Sequence, residues 1–177
     1  MPRRLLRDAT IVLDEWRYVT EAAADDAAPL IVTLAQWQLE PDTWLARGTP
    51  LGVVLSPANH VEQLAADLRH FALIAAEFSG PGEGRGYTQA RQLREQWAFT
   101  GELRATGYVR RDQLFFMARC GFNSFELPDT DIEDAYTAFS TFTAAYQPAN
   151  DLGLAHKLRA RVAAVGPHDL TEHRAAE

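Results

Sequence analysis

Short apolar runs alternate with segments of helical spacing along most of this sequence, and that alternation limits the possible folds more than any other feature. Five runs have the length of a buried strand: residues 30–34, 51–55, 73–78, 102–106 and 123–127. The clearest helical stripe places apolar side chains at i, i+3, i+4 and i+7, on Val61, Leu64, Ala65 and Leu68. Strands that alternate with helices predict βαβ crossovers, hence an α/β fold with a parallel sheet. Five units are too few for a closed eight-stranded barrel, so we expect an open sheet or a partial barrel.

Capping and stop residues suggest where three of the helices begin and end. Thr88 is the expected N-cap of a helix that follows the third run. Gly121 is expected to stop the next helix, because glycine accepts the left-handed backbone found there. A longer helix over residues 132–146 has Thr130 or Asp131 as its predicted N-cap.

The two ends of the chain differ from this alternating region. Residues 10–13 and 17–19 are rich in β-branched and aromatic side chains and flank residues 14–16, which predicts an N-terminal hairpin. Beyond Pro148 the composition changes, and residues 148–177 are predicted to be a helical or disordered tail. We therefore expect a single α/β domain over residues 1–147.

Composition excludes several broad classes of protein. Apolar residues make up 47% of the 177-residue chain and charged residues 23%, which is typical of soluble globular proteins rather than disordered ones. A net charge of −7 argues against a general nucleic-acid binder, whose affinity depends on neutralising phosphates. The single Cys120 fits a reducing compartment. No apolar run has the form of a signal peptide or a membrane helix, so we expect a cytoplasmic protein without membrane partners.

A glycine-rich loop after the third run is a candidate anion site. Residues 82–88 lead into a helix, where unpaired N–H groups and the helix dipole favour an anion. Arg85, Gly86 and Arg91 are the predicted ligands of a phosphate, sulfite or carboxylate group. The pattern lacks the Lys-Ser/Thr pair of a Walker loop and the acidic partner of a dinucleotide site. The alternative interpretation is a flexible loop before a capped helix.

Charged residues within three successive apolar runs form a second candidate site. Glu77, Arg104 and Glu126 interrupt strands that should be almost continuously apolar if helices cover both faces of the sheet. Because an unpaired buried charge is costly, we expect them to form one network or to face a polar pocket. In the alternative interpretation, Arg104 lies on an edge strand with its guanidinium in water.

The loop after the fourth run adds Arg111 and Asp112 to the same predicted end of the sheet. Arg111, together with Arg104, extends the set of predicted anion ligands. Glu77 and Asp112 are the candidate catalytic acid and base, although Asp112 also suits an N-cap or the partner of an arginine. The sequence indicates no metal site, and it leaves the cofactor undetermined.

The middle of the chain resembles a bacterial family known as domain of unknown function nine-three-four. The resemblance spans about residues 5–147, and its most specific blocks are residues 84–94, 101–107, 111–115 and 119–122. Members are described as uncharacterised proteins or as candidate oxidoreductases of sulfite reduction, a description that reflects genes beside those for sulfite reductase. The resemblance therefore implies a role in sulfur assimilation. It supplies no established catalytic residue.

Two functions follow as hypotheses. The first is an oxidoreductase or accessory protein of assimilatory sulfite reduction with a small-anion site at the C-terminal ends of the strands. An oxidoreductase of this kind would need a borrowed redox group, because one cysteine does not hold an iron–sulfur cluster. The second is a non-catalytic partner that docks on sulfite reductase or its electron donor.

Overall fold

One mixed sheet of eight strands organises residues 3–19 and 27–135, which are the residues that the computed structural model describes. The strands are β1 (Arg4–Arg7), β2 (Thr10–Leu13), β3 (Arg17–Tyr18), β4 (Leu30–Thr33), β5 (Leu51–Leu55), β6 (Leu73–Phe78), β7 (Glu102–Gly107) and β8 (Ser124–Phe125). Their order is β2-β1-β8-β7-β6-β5-β4-β3, and the neighbours from β3 to β8 all run parallel. The sheet curves into a half-barrel, which confirms the predicted α/β fold and shows the partial barrel of the two forms that the sequence left open.

The N-terminal hairpin is present, but it joins different strands from those predicted. β1 pairs with β2 in antiparallel orientation, and β1 also pairs antiparallel with β8. The connecting residues Asp8 and Ala9 have φ of 48° and 61°, the two positive values of a tight hairpin turn. The expected partner, β3, pairs in parallel with β4 at the opposite edge of the sheet. The basic composition of Arg4–Arg7 concealed β1, although Leu5 and Leu6 are both buried.

Within residues 3–19 and 27–135, five short α-helices connect or follow the strands: α1 (Leu34–Leu39), α2 (Pro41–Ala46), α3 (Arg85–Glu95), α4 (Leu114–Arg119) and α5 (Asp129–Ile132). The described residues also form 3-10 helices at Val61–Leu64, Leu68–His70 and Arg111–Gln113. The predicted α-helix through Val61 and Leu68 is therefore wrong in type. Its i→i+3 hydrogen bonds, such as Ala65 N–H to Glu62 C=O at 3.2 Å, define two tighter turns, although Val61 and Leu64 are buried as expected.

Two predicted N-caps are wrong, and one predicted stop is confirmed. α3 begins at Arg85 after Gly84, so Thr88 lies inside the helix rather than at its start. α5 begins at Asp129 after Pro128, whose carbonyl accepts the Asp131 N–H at 2.9 Å, so neither Thr130 nor Asp131 is its N-cap. α4 ends at Arg119, and Gly121 follows with φ of 111°.

The two faces of the sheet differ in chemistry. Side chains alternate along β7, so Leu103 and Ala105 point to one face while Glu102, Arg104 and Thr106 point to the other. The face of Leu103 belongs to the main apolar core, which also contains buried side chains of α1, α3, α4 and α5. We call the opposite face, which carries Arg104, the inner face.

A short segment between β2 and β3 crosses the inner face. The chain leaves β2 at one edge of the sheet and reaches β3 at the other edge through Asp14, Glu15 and Trp16. Trp16 packs with Ile31 and Leu73, and its ring lies 3.2 Å from where a Cβ on Gly52 would stand. The absence of a side chain at Gly52 therefore makes room for this crossing.

Several predictions fall outside the described residues. They are the part of the long helix beyond residue 135, the tail over residues 148–177 and the domain boundary at residue 147. Within residues 3–19 and 27–135, no helix has the length and hydropathy needed to cross a bilayer.

Candidate functional site

Arg104 forms the centre of a buried group of charges on the inner face. Its side chain is fully buried on β7, where an apolar residue would be expected. The guanidinium donates to Glu102 Oε1 at 2.8 and 3.0 Å, to both oxygens of Asp14 at 3.1 Å and to Glu126 Oε1 at 3.2 Å. These five hydrogen bonds match the five N–H donors of an arginine, so carboxylates of the protein occupy every donor of the guanidinium.

Two further arginines complete an electrically neutral cluster. Arg3 approaches Asp14 at 3.3 Å and Glu126 at 2.9 Å, and Arg7 approaches Glu102 at 3.5 Å. The cluster thus has three arginines and three carboxylates, and we call it the ion cluster: Arg3, Arg7, Asp14, Glu102, Arg104 and Glu126. Because β1, β7, the segment after β2 and the residue after β8 all contribute, the cluster holds together elements that are distant in sequence.

Neutral hydroxyl groups also donate hydrogen bonds to both carboxylate oxygens of Glu126. The Tyr18 hydroxyl donates to Glu126 Oε1 at 2.8 Å, and the Thr106 hydroxyl donates to Oε2 at 2.7 Å. The Arg3 guanidinium also lies over the Tyr18 ring, 5.2 Å from its centroid. Tyr18 belongs to β3, so its hydroxyl links one edge of the sheet to β8 across the inner face.

The electrostatics of the cluster fix its protonation state. Burial alone lowers the pKa of Arg104, but the charges of Glu102, Asp14 and Glu126 outweigh burial and hold that pKa above its ordinary value. Burial, assisted by the charge of Glu126, raises the pKa of Tyr18 well above its ordinary range. Arg104 is therefore charged and Tyr18 is a neutral donor at physiological pH.

The predicted network of Glu77, Arg104 and Glu126 is formed only in part. Arg104 and Glu126 are paired, whereas Glu77 lies on β6 opposite Thr106 and has no hydrogen-bond or ion-pair partner within residues 3–19 and 27–135. Glu77 does share the inner face, because residues paired between parallel strands point the same way. It is half-buried and stays a candidate acid or base on position alone.

The glycine-rich loop places Arg85 at the start of α3, as the predicted anion site requires. However, the Glu83 carboxylate accepts the Arg85 N–H at 2.9 Å and so supplies a negative charge to this helix end from the chain itself. The Arg85 guanidinium is directed to the carbonyl of Pro57 at 3.4 Å. Arg91 is exposed and pairs with Glu95 one turn along the helix, at 3.2 Å.

Gly86 has a packing role in this structure. A Cβ at this position would lie 2.6 Å from the Phe78 ring, so only glycine lets α3 approach β6 this closely. Nearby, the buried Gln89 amide donates to the carbonyls of Ser56 and Asn59, both at 2.9 Å. The two contacts explain why the loop and the helix hold their positions at the C-terminal end of the sheet.

Arg111 and Asp112 lie together in an open depression beyond the ends of β7 and β8. It has a volume of about 550 Å³ and is lined by Tyr108, Arg110, Arg111, Asp112, Thr130, Asp131 and Asp134. Arg110 pairs with Asp131 at 3.4 Å, and the Arg111 Nε donates to the Asp134 carbonyl at 3.1 Å. Two arginines therefore face three aspartates, so the lining has mixed charge with an acidic excess.

The structure does not gather the predicted anion ligands into one site. Arg85 is held toward the loop after β5 and Arg111 toward α5, while Arg104 is enclosed in the ion cluster. Sequence reasoning also missed Asp14 and Glu102 as partners of Arg104. Glu102 had a usable signal, because residues two apart on a strand share a face, whereas Asp14 is 90 residues distant and had none.

An exposed aromatic contact connects α3 and α4 on the outer surface. The rings of Tyr87 and Phe116 meet edge to face with centroids 5.0 Å apart, and Tyr87 meets Phe78 of the core at the same distance. Phe116 is 56% exposed, although its neighbours along α4 are mostly buried. Burial and the charge of Glu95 raise the pKa of the Cys120 thiol at the end of α4, while the charges of Arg91 and Arg119 act to lower it.

Much of the block that carries the family resemblance has an architectural explanation. Gly107 ends β7 with φ of 82°, and a Cβ there would lie 2.4 Å from the Phe78 carbonyl oxygen. Arg94 donates to the carbonyls of Gly121 and Gly101, each at 3.0 Å, and so clamps two loops at the other end of the sheet. Burial lowers the pKa of Arg94.

These observations define a class: an α/β half-barrel protein whose inner face is closed by a buried, neutral ion cluster. The family model described as "Bacterial protein of unknown function (DUF934)" matches residues 52–156, which is more than half of the chain. The chain belongs to this family. No curated protein matches the sequence.

Proposed function

We propose that this protein is a cytoplasmic, non-catalytic accessory protein of assimilatory sulfite reduction that docks on sulfite reductase or on its electron donor. The sulfur-assimilation role is the one that family resemblance implies. The choice of docking over catalysis rests on how the chain uses its charged residues.

One observation carries this choice. Among the arginines that the sequence suggests as anion ligands, Arg85, Arg91 and Arg104 are each directed to a group of the protein itself. At the same time, large apolar and aromatic side chains such as Phe116 and Tyr108 are exposed at 56% and 36%. Aromatic side chains beside arginines are typical of protein-binding hot spots.

The test is titration calorimetry of the purified chain against purified sulfite reductase and, separately, against its purified electron donor. The proposal predicts a 1:1 complex with at least one of the two, and no consumption of sulfite by the chain in the absence of the reductase. Absence of binding to both proteins at concentrations near 100 μM would contradict docking, since transient redox complexes are weak but measurable.

A second candidate is a small-anion site, with or without oxidoreductase activity, in the depression of about 550 Å³ beyond β7 and β8. The observation in its favour is that Arg110, Arg111 and Asp112 line one open space, with Asp112 as the acid or base. Calorimetry with sulfite and sulfate tests it. This candidate predicts millimolar or tighter binding that Arg111→Ala weakens, and its acidic excess of aspartates is the feature that speaks against it.

A further inference from the structure

The edge strand β2 has none of the features that normally stop two sheets from joining. A strand at a sheet edge presents unpaired N–H and C=O groups, and proteins usually protect it with a charged residue, a proline, a bulge or very short length. β2 (Thr10–Leu13) has neither charge nor proline, and it pairs with β1 in a continuous register without a bulge. The strand at the opposite edge, β3, has only two residues, one of which is the exposed Arg17. Of the two edges, β2 is therefore the one that is open to a further strand.

The hydrogen-bond pattern identifies which backbone groups of β2 point away from the sheet. The Asp14 N–H donates to the Arg3 carbonyl at 2.7 Å, so this pair of residues exchanges hydrogen bonds between the two chain segments. In an antiparallel ladder only every second residue bonds to the same neighbour. Val12 therefore bonds to β1, and the N–H and C=O groups of Ile11 and Leu13 are directed outward.

The side chains of β2 are apolar on both faces of the sheet. Ile11 stands opposite Leu6 and packs against the main core, and Leu13 lies on the same face but is 59% exposed. Val12 stands opposite Leu5 on the inner face and is half-buried. A strand that docks here thus needs apolar side chains on both of its faces, with the outward backbone groups between them.

A second copy of β2 meets these requirements. A two-fold axis perpendicular to the sheet at Val12 makes the two strands antiparallel and keeps each face of one sheet continuous with the same face of the other. Val12 then meets its own counterpart, and Ile11 of each copy stands opposite Leu13 of the other. Because Ile11 and Leu13 carry the outward backbone groups, this register forms four hydrogen bonds across the junction. It also places apolar side chains opposite each other in all three pairs, and it covers the exposed Leu13.

We propose that two copies of this chain form a dimer by antiparallel pairing of their β2 strands about a two-fold axis at Val12. The occupant is a second copy because the strand is complementary to itself in backbone and in side chains. The assembly stops at two copies, since each copy has one open edge and β3 is short and charged. A four-residue junction is small, so the dimer is expected to be weak and to depend on protein concentration. The dimer is independent of the proposed function.

The test is sedimentation equilibrium of the purified full chain and two variants, from about 1 to 300 μM. Leu13→Lys places a charge at the junction, where it protects the edge as lysine does in natural sheets. Leu39→Lys is the matched control, because Leu39 is 78% exposed on α1 and receives the same charge away from β2. Thermal unfolding followed by circular dichroism shows that each variant is folded. Amide hydrogen exchange, measured by NMR at the two ends of the concentration range, reports on the individual N–H groups of β2.

We expect the unchanged chain to dimerise with a Kd of tens of μM and Leu13→Lys to weaken the dimer at least about tenfold, because the change occurs on both sides of the axis. Leu39→Lys should dimerise within about twofold of the unchanged chain. Exchange of the Ile11 and Leu13 amides should slow as the concentration rises, whereas the Val12 amide is protected throughout. A monomer over the whole range, a dimer that Leu13→Lys leaves unchanged or a species larger than a dimer would each overturn the proposal. None of these results affects the proposed function, which binding to the reductase or its donor tests separately.

Discussion

The inner face of the sheet and the solvent-facing surface of α3, the outer face of the molecule, both carry arginines and use them in different ways. On the inner face, Arg104 is fully buried and donates five hydrogen bonds to three carboxylates. On the outer face, the side chain of Arg91 is 60% exposed and has one ion-pair partner on its own helix. Residue type alone therefore does not distinguish a structural arginine from a surface arginine, because burial and the number of partners decide which it is.

The largest expected effect is on the inner face. Arg104→Ala would leave Asp14, Glu102 and Glu126 without their central cation, and breaking a buried ion pair in this way costs about 3–5 kcal/mol. Urea unfolding followed by circular dichroism measures the loss. Arg104→Met keeps much of the side-chain volume, so a similar loss in that variant would assign the effect to charge rather than to a cavity. A loss below about 1 kcal/mol in both variants would contradict a structural role.

A smaller loss of stability is expected at Gly107, the last residue of β7. Gly107 has a positive φ, and a Cβ there would collide with the Phe78 carbonyl oxygen. Gly107→Ala should therefore cost about 2 kcal/mol in the free energy of unfolding, measured by urea titration. Gly80→Ala is the matched control, since no atom lies within 4 Å of a Cβ placed on Gly80. Equal stability of the two variants would show that the turn after β7 tolerates rearrangement.

The link between β3 and the ion cluster predicts a pH dependence. The pKa of Tyr18 is raised in the folded state, so the unfolded chain ionises first as the pH rises past about 10, the ordinary tyrosine value. Stability from Tyr18 is thus complete below that pH and is lost above it. Tyr18→Phe should cost about 1 kcal/mol at neutral pH for the lost hydrogen bond and should reduce the alkaline loss. An unchanged alkaline slope in Tyr18→Phe would contradict the raised pKa.

The smallest effect on stability is expected on the outer face. Arg91→Ala removes an exposed ion pair, and such pairs contribute about 0–1 kcal/mol, so the urea midpoint should hardly move. A large loss of stability in Arg91→Ala, compared with Leu39→Ala on α1 as an exposed control, would remove the distinction between the buried and the exposed arginine.

The sequence predicted the centre of the fold better than its edges. The runs at 30–34, 51–55, 73–78 and 102–106 became parallel strands because each places apolar side chains, such as Val53 and Leu103, in the main core. β1 was missed, since arginines flank it and begin and end it, and their partners Glu102, Glu126 and Glu133 lie far along the chain. The hairpin was assigned to the wrong pair for the same reason: local composition does not reveal that β3 pairs with β4.

The candidate site was also predicted only in part from the sequence. The expectation that Arg104 pairs with Glu126 was met, because both interrupt neighbouring apolar runs and an unpaired buried charge is unfavourable. The extension to Glu77 was wrong, since Glu77 stands beside Thr106 rather than Arg104 in the register of β6 and β7. Sequence patterns could not identify Asp14 as a partner, because it lies 90 residues before Arg104 and reaches it only through the segment that crosses the inner face.

If the ion cluster closes the half-barrel by binding the segment after β2 to β7, Asp14 and Arg104 must be energetically coupled, and a double-mutant cycle measures that coupling. Asp14→Asn keeps an oxygen for the Trp16 N–H, which donates to Asp14 Oδ1 at 3.1 Å, while it removes the charge that faces Arg104. Urea unfolding of Asp14→Asn, Arg104→Met and the double variant gives the coupling free energy between the two residues. We expect a coupling free energy of about 1–3 kcal/mol. If the stability losses of the two single variants add to within about 0.5 kcal/mol in the double variant, the cluster does not close the half-barrel in this way.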